Sequence, residues 1–127
     1  MSTIIKKILP FLGCLLVLAP TFVMAEEKML NADEVKKLFI GKTCDGYNPI
    51  KDKNYKLFTK NETKVLHQTA KGTKERDWEV TDSSEHCVHF KSRRCGTIHD
   101  MGNGVYHKMN NGKHINTLKN FVEGNKL

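Results

Sequence analysis

The sequence has no G-x-S-x-G, no H-E-x-x-H and no C-x-x-C, so the usual marks of an activated serine, a zinc protease helix and a dithiol redox pair are absent. Gly41-Lys42-Thr43 has the ending of a phosphate-binding loop, but the glycine needed five positions before Gly41 is Lys36. That segment reads instead as a helix stop followed by a strand. No internal repeat, low-complexity tract or linker divides the chain. Aromatic residues are not interleaved with the basic ones as stacking platforms, which argues against specific nucleic-acid binding. No Ser/His/Asp or Cys/His set can be brought together by spacing alone, and the expectation leans away from an enzyme. No cofactor is implied.

What is present begins with an export signal. Lys6 and Lys7 form a basic start, Ile8 to Pro20 an apolar stretch, and Val23-Met24-Ala25 a cleavage site of the A-x-A kind. Pro10, Gly13 and Pro20 break the apolar run short of the ~20 residues that a spanning helix needs. Cleavage after Ala25 is therefore expected, with residues 26–127 forming one exported, periplasmic or secreted domain that has no transmembrane span. A domain of this size buries only about two-thirds of the surface its unfolded chain exposes. The formal net charge of the whole chain is +7, a basic bias that favours an anionic envelope component or another periplasmic protein as partner.

Export makes disulfides permissible. Cys87 and Cys95 flank the turn-like Lys91-Ser92-Arg93, so a hairpin places them opposite each other on an outer face, and a cross-strand disulfide is expected. Cys44 is left over, as a buried thiol by default, or else as a reactive thiol or a handle for an intermolecular bond.

Asn31, with Glu34 three residues later, has the form of a capping box, and Val35, Leu38 and Phe39 make an apolar stripe that ends at Gly41. A short N-terminal helix over 31–40 follows. Beyond Gly41 the chain reads as short alternating strands broken by turns, among them Gly102-Asn103-Gly104 and Asn110-Asn111-Gly112. The expected fold is mainly β: seven or eight antiparallel strands in a meander that ends near Leu118, closed into a small barrel, with a two-layer sandwich as the alternative. Alternation points Phe58, Trp78, Val80, Val88, Phe90, Ile98 and Tyr106 inward, and these bulky residues predict a filled interior.

The series Leu30-x-x-x-Glu34-x-x-x-Leu38-Phe39-x-Gly41-Lys42-Thr43, Trp78-x-Val80-x-Asp82, Cys87, Cys95 and Gly104-x-Tyr106 resembles a family of small exported bacterial proteins known only as a domain of unknown function. The resemblance implies a periplasmic β-rich domain and brings no catalytic residues with it. Cys44 departs from the family's pattern, so any role for it is particular to this chain.

Two sets of residues remain as candidate sites. His89, His99, His107 and His114 are candidate ligands for copper or zinc, with His89 sharing a face with His99, and His107 opposite His114 across a turn. Lys51 and Lys53 in one loop and Arg93 and Arg94 at a hairpin tip form a candidate rim for contact with a ligand. The leading expectation is a non-catalytic binding or envelope-accessory protein, and the alternative is a periplasmic metal-binding protein.

Overall fold

A computed structural model of the chain describes residues 27–127; the expected export signal lies outside them. The chain enters through a two-residue strand, β1 (Lys28–Met29), and turns into helix α1 (Ala32–Phe39). The capping box forms as the sequence requires. Asn31 Oδ1 accepts the Glu34 N–H at 2.9 Å, and Glu34 Oε1 accepts the Asn31 N–H at 2.9 Å, which satisfies two amides that have no partner inside the helix. Gly41 ends the segment at φ 81°, a conformation that glycine adopts without strain.

Eight further strands follow: β2 (Lys42–Asn48), β3 (Lys53–Thr59), β4 (Lys64–Thr69), β5 (Gly72–Val80), β6 (Glu85–His89), β7 (Arg93–Asp100), β8 (Tyr106–Asn110) and β9 (Lys113–Glu123). Each pairs antiparallel with the next, and β9 pairs with β2, so the meander closes into a barrel rather than splitting into two layers. Closure removes the exposed sheet edges that an open meander would leave. β1 pairs with His99 and Asp100 of β7 beyond the point where β6 stops. No helix among the described residues is long and apolar enough to cross a membrane.

β9 runs past the expected end at Leu118 as far as Glu123, through an irregularity opposite Thr43 and Asp45 where Asn120 takes φ 57°. Its last residues are held by pairing with β2, a long-range partner that local pattern does not reveal. Thr43 adds to this anchor: its hydroxyl donates to the Gly124 carbonyl at 2.6 Å and accepts the Lys126 N–H at 2.9 Å.

Side chains alternate in and out along each strand. Trp78, Val88 and Ile98 face inward and are buried, as alternation predicts. In β3 the phase is opposite to expectation. Leu57 is buried in the core, whereas Phe58 stands on the outer face between Thr43 and Leu66. Two adjacent large apolar residues give alternation no preferred phase, and burial of Leu57 decides it.

The interior is not filled throughout, contrary to the sequence expectation. At one end α1 plugs the barrel. Phe39 is buried there, with ring centroids 4.3 Å from His86, 5.3 Å from Phe121 and 6.3 Å from Trp78. Trp78 Nε1 donates to the Asn61 carbonyl at 2.7 Å, which satisfies its one polar group. The other end carries the four hairpin turns β2–β3, β4–β5, β6–β7 and β8–β9 and has no plug; it holds a cavity of about 780 Å³. Bulky side chains suffice to fill the half that the helix also enters, but not the half it does not reach.

Candidate functional site

The walls of this cavity come from most of the barrel strands: Tyr55 and Leu57 on β3, His67 on β4, Val88 on β6, Arg94 on β7, Lys108 on β8, and Asn116 and Leu118 on β9. Phe90, just after β6, joins them, and Lys51, Lys53, Lys71 and Lys91 stand on the turns at the mouth. The result is an apolar middle with polar groups at floor and rim, the usual composition of a site for a small organic ligand.

The floor is set by Lys108. Tyr106 faces inward on β8, and a period of two puts Lys108 on the same side. Its ammonium is buried, with Nζ 3.1 Å from His86 Nδ1 and 3.2 Å from the Arg94 carbonyl oxygen, to which it donates. Neither partner is an acid. Burial, aided by the Arg94 charge, pulls the Lys108 pKa down to about 7. His86 is fully enclosed, and burial together with the Lys108 charge holds its imidazole well below the usual histidine range. His86 is thus neutral at pH 7, with Nδ1 free to accept from the amine.

Above the floor, Phe90 carries the Arg76 guanidinium 4.9 Å from its ring centre and that of Arg94 at 5.5 Å. His67 meets the same ring edge-on at 5.2 Å and lies 5.2 Å from Tyr55. Burial and the Arg76 charge lower the His67 pKa. The Arg76 Nε–H is buried without a hydrogen-bond partner.

Ion pairing divides the two faces. On the outside, Lys56 pairs with Asp45, Lys60 with Glu75, Lys64 with Asp77 and Arg93 with Glu79. Among the described residues, the lining cations Lys108 and Arg94 take part in none of the ion pairs. The one carboxylate on the rim turns, Asp52, accepts a hydrogen bond from Tyr47 Oη at 2.7 Å. A cavity with cations on several sides and no interior carboxylate to neutralise them is complementary to an anion.

The expected rim is found in part. Lys51, Lys53 and Arg94 line the cavity or its mouth. Arg93 is the exception: it faces out, with Nε donating to Glu79 at 3.0 Å. Cys87 and Cys95 stand opposite each other in register and are joined by a disulfide on the outer face. Cys44 is 1% exposed in the core, and burial, with the Asp45 charge beside it, pushes its thiol far above the usual range. It is held as a buried thiol, and apolar surroundings of this kind disfavour the thiolate. The four histidines do not gather. His89 lies apart, 3.0 Å from Glu79, whereas His99, His107 and His114 share a patch of the outer face.

Lys108 and His86 were not among the residues singled out from sequence, although their signal was present. Lys108 follows the inward Tyr106 by two positions, and His86 precedes the inward Val88 by two.

No protein-family model, curated protein or solved structure matches this chain.

Proposed function

We propose that this protein is an exported, non-catalytic binding protein that takes a small amphiphile with an anionic head group into the open half of its barrel. The observation that carries this reading is the Lys108 ammonium, set at the floor of the cavity with no carboxylate bound to it. Burying an amine without an acid costs stability, and an apolar side chain of similar volume would relieve the cost. A ligand carboxylate or phosphate entering the cavity supplies the missing charge, while Leu57, Val88, Phe90 and Leu118 receive an apolar tail. The volume of about 780 Å³ falls within the range of sites for small organic ligands. The cationic mouth draws anions in. The expected home is the periplasm, where envelope-derived amphiphiles of this kind are met.

Displacement of the anionic dye anilinonaphthalene sulfonate by decanoate and by decanol tests the proposal. Decanoate should displace one equivalent of dye, with decanol weaker by about tenfold, a difference of roughly 1.4 kcal/mol. Lys108→Met should abolish that preference. Equal displacement by acid and alcohol, or no saturable uptake by the native protein, defeats the reading.

A further inference from the structure

His99, His107 and His114 come from three neighbouring strands, β7, β8 and β9, on the outer face of the wall whose inner face lines the cavity. His99 and His107 are direct cross-strand partners. The His107 and His114 rings stack at 3.8 Å between centroids and 16° between planes. The carboxylate of Glu27, carried in just ahead of β1, lies 2.6 Å from His99 Nδ1, outside hydrogen-bonding direction, so that this buried nitrogen has no hydrogen-bond partner.

We infer that His99, His107 and His114 form a surface site for a borderline divalent transition-metal ion, Cu(II) or Zn(II), with the Glu27 carboxylate as fourth ligand or as the group that orients His99. Three imidazoles and a carboxylate are a donor set suited to both ions. Direct cross-strand partners have Cβ atoms ~5 Å apart, a span that two imidazoles bridge through an ion with nitrogen–metal bonds of ~2.0–2.1 Å. Glu27 beside His99 would complete the carboxylate–histidine–metal arrangement that fixes ring orientation and tautomer once the His99 ring turns so that Nδ1–H donates to it. The rings must turn to close the site. Among the described residues, the one set of three or more such ligand atoms lying within 4.8 Å of one another is Glu85, Cys87 and Cys95, and the disulfide consumes both of its thiols. His107 and His114 are partly exposed, so solvent leaves their rings room to turn. His114 is restrained by a 2.9 Å hydrogen bond between Nε2 and Thr117 Oγ1, and His99 by the equivalent bond to Thr97.

Isothermal titration of the exported protein with Cu(II) and with Zn(II) tests the inference. One equivalent of at least one ion should bind. Affinity should fall about tenfold or more in His107→Asn and in His114→Asn, about tenfold in Glu27→Gln, and not at all in His89→Asn. The Cu(II) form should show superhyperfine coupling to more than one nitrogen in its electron paramagnetic resonance spectrum. Circular dichroism of the variants establishes that they are folded, and unchanged dye uptake by them separates this site from the cavity. Absence of stoichiometric binding, or binding that survives both His107→Asn and His114→Asn, overturns the site and leaves the patch a stack of two rings beside His99.

Discussion

The stem of Lys108 crosses the bare backbone of Gly96. A Cβ at Gly96 would stand 2.9 Å from Lys108 Cγ and 2.7 Å from the Met109 carbonyl oxygen, closer than side chains pack. Gly96 faces inward opposite His86, and its missing side chain is the space through which the lysine reaches His86 and the Arg94 carbonyl. The cation at the cavity floor thus depends on a glycine in the neighbouring strand. Within a strand a glycine otherwise weakens the ladder, and here it admits a close neighbour.

Gly96→Ala should lower stability by about 1–3 kcal/mol, because the rigid Met109 backbone is part of the obstruction and cannot swing away. Thermal melting measures the loss. Decanoate uptake should weaken in the same variant, since the lysine is displaced from its path. Full stability with unchanged uptake would show that the barrel opens at this point without cost.

Lys108 makes stability depend on pH in a defined direction. In the fold its pKa is about 7, whereas in the unfolded chain it is ~10.4. Between these values the unfolded chain binds more protons, so stability rises with pH across that window, and the full penalty is present below pH 7. Lys108→Met should remove the rise and, at pH 6, stabilise the protein by about 1–4 kcal/mol. Urea unfolding at pH 6 and pH 9 checks both effects. A variant less stable than the parent at pH 6 would mean that the two hydrogen bonds of the amine outweigh its desolvation.

Removing the disulfide through Cys87→Ser with Cys95→Ser should cost on the order of 2–3 kcal/mol, the value for a short closed loop. Dye and decanoate uptake should persist, because the bridge lies on the outer face. Denaturant midpoints together with the displacement titration separate the two. Lost uptake in a folded variant would tie the β6–β7 hairpin to the binding site.

Trp78→Ala should be among the most damaging single changes, at about 3–5 kcal/mol. The indole is buried against Phe39 and His86, and its removal leaves the Asn61 carbonyl without its partner. Calorimetric melting reads the result. An unchanged melting temperature would place the indole outside the packed plug.

Much of this architecture is legible locally. The capping box at Asn31 and Glu34, the Gly41 stop, the turns at Asn103 and Asn111 and the register that joins Cys87 to Cys95 all rest on neighbours a few residues apart, where backbone preference and period-two alternation act directly. The inward place of Lys108 was also within reach, since Tyr106 two residues earlier carries the phase. A lysine in an apolar row conflicts with the ordinary rule that such groups stay in water, and functional residues are where that conflict is expected.

Tertiary structure alone decided the rest. The phase of Leu57 against Phe58 depends on which of them the closed barrel buries, and the length of β9 on its pairing with β2. The hollow at the turn end depends on how far α1 reaches into the other end. The meeting of Lys108 with His86, and of Glu27 with His99, joins residues far apart in sequence. Local propensity and alternation specify which face of a strand a side chain takes; closure of the eight strands specifies what that face meets, because the opposing walls of a barrel come from the whole length of the chain.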